Sequence, residues 1–142
     1  MKRWKKIALI SASTLTVLIG GSLWFVLSAF PDMCGNELLA EYPSPDNKYR
    51  AVVFERDCGA TTGFSTQVSI LKAGFPLRNE AGNLFSADTD HGKAPDGPGG
   101  GPAVHVSWVD VRTIKLTHHA RARIFFSRPQ VAEITVSYAT ID

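Results

Sequence analysis

The chain has 142 residues and a formal net charge of +2, yet Lys2, Arg3, Lys5 and Lys6 supply four of its fifteen basic side chains, so the remainder of the chain is slightly acidic. That balance excludes nucleic acid as a partner, because phosphate neutralisation supplies most of such affinity and needs a basic surface. The length suits one modest domain of about 110 residues behind a separate N-terminal segment.

Residues 1–6 form a basic tail. Ile7 to Phe30 contains no charged residue, and as a helix it is about 36 Å long, enough to cross a hydrocarbon core of ~30 Å. Four basic residues before it and none directly after it place Met1 in the cytoplasm and residues 31–142 outside, with the lipid bilayer as the partner of residues 7–30. The expected location is therefore the cytoplasmic membrane, single-pass. A cleaved secretory signal ending near Leu27-Ser28-Ala29 is the alternative, although its apolar region is longer than usual. A lipid anchor on Cys34 fits poorly, because Pro31, Asp32 and Met33 precede it. Ala12, Thr16 and Gly20 share one helix face at the spacing through which helices approach closely.

Cys34 and Cys58 are the only cysteines, and both lie in the exported part, where a disulfide persists. Pairing them closes a loop of about 25 residues and stabilises the fold by roughly 3 kcal/mol. The rival readings are a metal pair, which lacks close Cys spacing, and a reactive thiol.

Past the anchor the hydrophobic period is close to two, which predicts an all-β domain of about seven or eight short, mostly antiparallel strands, a small sandwich or partly open barrel. Leu38 to Tyr42 and Tyr49 to Arg56 flank Ser44-Pro45-Asp46-Asn47-Lys48 and read as a hairpin, with Asn tolerating the left-handed conformation. Thr66, Val68 and Ile70, then Val104, Val106 and Trp108, then Ile134, Val136 and Tyr138 each alternate with polar residues, as strands with one buried face do. Thr113 to Thr117 and Arg123 to Phe126 complete the set.

Two stretches break this pattern. In the first, Glu55, Arg56 and Asp57 lead through Cys58 into Gly59, Thr61, Thr62, Gly63 and Ser65. Its glycines permit an anion-binding nest edged by hydroxyls, which makes Glu55, Arg56, Asp57, Thr61, Thr62 and Ser65 a candidate binding loop. The plainer reading is a loop pinned by Cys58, with Glu55 and Arg56 facing solvent or pairing with charges nearby. The second stretch, Asp88 to Pro102, is too rich in Gly and Pro to extend a ladder and reads as a long surface loop, either functional or disordered. Asp88, Asp90 and Asp96 are weak candidates for a hard cation, because the closing Glu of a calcium loop is missing. His91, His105, His118 and His119 accompany no catalytic motif, and His118 and His119, being adjacent, point to opposite faces of a strand. No cofactor is implied.

The span Tyr42 to Leu71, YPSPDNKYRAVVFERDCGATTGFSTQVSIL, with the later Gly-rich loop and the Val104-x-Val106-x-Trp108 strand, resembles a family of small bacterial exported or membrane-anchored proteins to which no activity is assigned. The resemblance implies bacterial origin and a single exported domain and names no substrate. The Ser-Pro-Asp turn is similar to turns in blades of periplasmic β-propellers, which one hairpin cannot build. Together these features predict a membrane-anchored binding or interaction module of the cell envelope, with an envelope protein or glycan as its partner. The alternative is a small hydrolase or transferase using Glu55, Asp57 and Ser65 with a histidine, and it requires those groups to converge in one cleft.

Overall fold

The computed structural model describes residues 2–29, 33–59 and 61–142. Met1, the expected end of the spanning segment at Phe30, Pro31 and Asp32 before Cys34, and Ala60 in the loop after Cys58 lie outside the described residues. The chain divides into two units, Met1–Met33 and Cys34–Asp142.

The first unit is one helix, α1 (Lys2–Ala29), which extends the expected span backward through the basic tail. It is long and apolar enough to cross a membrane, with a mean hydropathy of 1.8 over its most apolar 18 residues. The hydroxyls of Thr14 and Thr16 donate to the carbonyls of Ile10 and Ala12 one turn earlier, at 2.8 and 2.9 Å, so neither hydroxyl needs a partner outside the helix.

Among the described residues the second unit is all β, with nine strands in two sheets: β1 (Gly35–Pro43), β2 (Tyr49–Asp57), β3 (Ser65–Lys72), β4 (Phe85–Asp88), β5 (Val104–Trp108), β6 (Thr113–His119), β7 (Arg123–Ser127), β8 (Gln130–Val131) and β9 (Ile134–Ile141). The five-stranded sheet runs β1-β2-β3-β4-β7 and the four-stranded sheet β5-β6-β9-β8. Every pairing is antiparallel except β6 with β9. A parallel pair cannot be closed by a hairpin, and the intervening chain leaves for the other sheet as β7, then returns through Arg128 and Pro129 into β8.

The alternating residues expected to face inward do so. Ala51, Val53, Val68, Ile70, Phe85 and Ala87 of the first sheet join Val104, Val106, Ile114, Leu116, Ile134 and Val136 of the second in one core. The expected hairpin forms between β1 and β2. Asn47 takes the left-handed conformation (φ 56°), and the Ser44 hydroxyl donates to Asp46 Oδ1 at 2.7 Å while accepting the Tyr49 N–H at 3.0 Å. β1 is an edge strand, bulged between Leu38 and Ala40 so that the extra residue, Leu39, packs on the core. Trp108 Nε1 donates to the Tyr42 carbonyl at 2.8 Å and ties β5 to that edge.

β3 departs from the one-faced pattern. Gln67 and Ser69, expected in solvent, are 6% and 5% exposed, and Val52 and Phe54 on the same outward face are fully buried. The chain from Gly74 to Asn83 straps that face. Gln67 Oε1 accepts the Gly82 N–H at 2.7 Å, Ser69 Oγ accepts the Asn83 N–H at 3.1 Å, and Asn83 pairs its side-chain amide with both backbone groups of Ile70. Polar residues here are buried because the strap satisfies them.

Cys34 and Cys58 form the expected disulfide, with their Cα atoms 3.8 Å apart. They lie just beyond Gly35 and Asp57, the last residues in register, so the bond closes the open end of the β1–β2 ladder.

Candidate functional site

The two irregular stretches meet. Gly63 and Phe64 from the first, and Asp88, Thr89, His91, Asp96 and Gly100 from the second, line a cleft of about 340 Å³ together with Arg123 of β7.

One wall is set by the loop after Cys58. Asp57 Oδ1 accepts the Gly59 N–H at 2.9 Å, and the Thr62 N–H and hydroxyl both donate to the Gly59 carbonyl at 3.0 Å. Asp57 thus takes one of the N–H groups of this loop, and Thr61 and Thr62 are exposed and do not line the cleft. The turn delivers Phe64 to the cleft, 46% exposed as a residue.

The other wall begins where β4 ends. Asp90, His91 and Gly92 adopt left-handed backbone in succession (φ 48°, 59° and 84°), a conformation unfavourable for the two non-glycine residues. The Ala94 N–H donates to the Thr89 carbonyl at 3.0 Å across this turn, and the Ala94 side chain is buried beneath it. The chain then folds back between Asp96 and Pro102, which bridge as a minimal antiparallel pair, with the Gly97 N–H donating to the Gly101 carbonyl at 2.6 Å. This glycine turn lies directly on the end of β2 and β3. A Cβ at Gly101 would lie 2.6 Å from the Thr66 backbone nitrogen, and one at Gly100 2.8 Å from the Phe64 ring. The lack of side chains there lets the loop pack flat and fix Phe64 in place.

The floor is charged and internally paired. Arg123 Nε donates to Asp88 Oδ1 at 3.0 Å, and its Nη2 donates to the second oxygen of the same carboxylate. Arg123 Nη1 also lies 3.8 Å from Asp90, whose other oxygen is 2.7 Å from Lys93 Nζ. Burial alone would raise the Asp88 carboxyl, but the Arg123 hydrogen bonds, the Asp90 N–H and the guanidinium charge outweigh it and hold it below the usual range. The hydrogen bond from Lys93, aided by the charges of Lys93 and Arg123, lowers Asp90 as well. Asp88 and Asp90 therefore serve these cations, and no group of three His, Cys, Asp or Glu side chains among the described residues is placed to hold a metal.

Most of the residues singled out in the sequence fall outside the cleft. The pleat puts Glu55 opposite Thr66, and Arg56 opposite Ser65, so Glu55 and Ser65 lie on different faces of the sheet. Glu55 lies under Gly99. Arg56, expected either in solvent or paired with nearby charges, is 9% exposed and donates to the side chains of Asn36 and Asn79 at 2.7 and 3.2 Å, while Ser65 donates to the Arg56 carbonyl at 3.2 Å. Glu55, Asp57, Ser65 and a histidine do not converge. His118 packs its ring on Phe85 with centroids 5.3 Å apart, buried His119 accepts the Arg121 N–H at 3.0 Å, and His105 is exposed on the outer face of the second sheet. Only Asp88, Asp96 and His91 of the flagged residues reach the cleft. Phe64 and Arg123 were not singled out. The β4–β7 register that sets Arg123 opposite Asp88 joins segments 35 residues apart, and no local pattern announces it.

No protein-family model matches the chain, and neither a curated protein nor a solved structure matches it at a significant level.

Proposed function

We propose that this chain is a membrane-anchored recognition module of the cell envelope, held by α1 and displaying its β domain on the outer side. The observation that carries the reading is the convergence of two irregular loops on a cleft whose walls are locked by backbone hydrogen bonds and flat glycine packing. Long loops without regular structure that are nevertheless pinned in place are where small domains carry binding. The disulfide suits an oxidising compartment, and the basic residues preceding the apolar stretch of α1 favour an N-terminus on the cytoplasmic side.

The test uses the full chain in lipid nanodiscs, presented to immobilised envelope proteins and glycans. Saturable binding to at least one, weakened by Phe64→Ala, is the expected result, and silence across the panel overturns the reading. Mass analysis of the membrane-bound protein reads the anchor: a chain retaining residues 2–29 supports it, and loss of that segment replaces the anchor with a cleaved signal.

A further inference from the structure

We infer that the cleft takes a neutral saccharide, a deduction that rests on the recognition reading above and gives it a ligand class. The cleft carries both signs of charge. Asp88 and Asp96 line it together with Arg123 and His91. An anionic ligand meets the two carboxylates, and a cationic one meets the guanidinium. A neutral ligand rich in hydroxyls satisfies both signs at once, because each hydroxyl donates to a carboxylate and accepts from an N–H.

These polar groups are also held rigidly. Asp88 and Arg123 are locked as a two-bonded planar pair, with the Asp88 side chain 13% and the Arg123 side chain 44% exposed. The guanidinium, the more exposed partner, keeps N–H donors beyond the two bonded to Asp88, and a sugar ring offers vicinal hydroxyls that can accept from them. The exposed carboxylate of Asp96 adds an acceptor with no partner among the described side chains.

Phe64 supplies the apolar surface. A phenylalanine that remains 46% exposed as a residue while Gly100 packs closely against its ring is a preformed platform. A pyranose with equatorial hydroxyls has what such a platform needs, an axial C–H face that stacks on the ring while its polar edge turns to Asp88, Asp96 and Arg123. The volume, about 340 Å³, is at the small end of ligand pockets and holds about two sugar rings.

The experiment titrates the nanodisc-held chain, free of glycoside detergent, with cellotriose and with N,N′,N″-triacetylchitotriose, both neutral, reading binding by saturation-transfer NMR. Expected are saturable binding of at least one trisaccharide, strongest transfer to axial C–H protons, a roughly tenfold loss in Phe64→Ala and a comparable loss in Asp96→Asn. Phe75→Ala, at a 57% exposed phenylalanine on the strap, leaves binding unchanged. Transfer that survives Phe64→Ala overturns the inference. So does binding of choline or inorganic phosphate with neither sugar bound. If both sugars fail while a protein from the envelope panel binds in a Phe64-dependent way, the saccharide is wrong and the recognition reading stands. Failure of every probe removes both.

Discussion

Glu55 lies directly across the ladder from Glu37 and two residues from Asp57, with the glycine turn laid over it. Burial first, then repulsion from Glu37 and Asp57, push its carboxyl above its ordinary 4.5. A carboxyl whose folded value is raised supports the fold fully below 4.5, and that support is lost as pH rises through the folded value. Glu55→Gln is therefore expected to raise the urea midpoint at neutral pH, with the advantage over the unmodified chain vanishing below pH 4.5. Midpoints that move in parallel across that range would refute it. Asp88 has the opposite sign. Its lowered carboxyl contributes stability above 3.8 that disappears as pH falls through the folded value. At Gly101 a Cβ would meet the Thr66 hydroxyl and, just as closely, backbone atoms of Thr66 and Ser65 that cannot swing aside. Gly101→Ala forces the loop off β3 and is expected to cost about 1 to 3 kcal/mol, read as a drop in the denaturation midpoint.

Among the elements, the strap decides how the first sheet is buried. Asn83 mimics a strand residue by pairing Oδ1 and Nδ2 with the N–H and C=O of Ile70 at 2.8 and 2.9 Å. Asn83→Ala leaves both groups of a nearly buried residue without that partner, so a loss of about 2 kcal/mol is expected, together with faster hydrogen exchange at the Ile70 amide. Unchanged exchange there would mean that water replaces the side chain without cost. The same element explains what local pattern could and could not reveal. Val104, Val106 and Trp108 alternate against solvent and were readable as a strand. β3 was readable as a strand but not as two-faced, because its second cover arrives from residues 74–83, which carry no period of their own. β4 has four residues and sits between an irregular strap and an irregular loop, so nothing in its sequence separates it from either.

For the whole molecule, the legible part of the site was the pair of loops and the unreadable part was where they end up. Gly and Pro content marked residues 88–102 as special, whereas the partnership of Asp88 with Arg123 depends on β7 crossing to the first sheet between two strands that pair in parallel. Local periodicity is blind to such crossovers. Replacing Cys34 and Cys58 by Ser removes a constraint spanning 24 residues, and a loss of about 3 kcal/mol is expected from urea unfolding of the oxidised chain against the double variant. A loss well below 1 kcal/mol would show that the β1–β2 ladder alone already restricts the unfolded chain.

The position of that bond also determines how the domain carries load. An edge strand pulled from its free end peels away one hydrogen bond at a time, and β1 begins two residues after the unit that holds α1. With Cys34 tied to Cys58, tension arriving along the chain from α1 enters β1 and β2 together, at the end where peeling would start. Separation at that end then involves β1 and β2 as one unit rather than the hydrogen bonds of β1 alone. The strand that follows α1 in sequence is thereby spared from unravelling by itself.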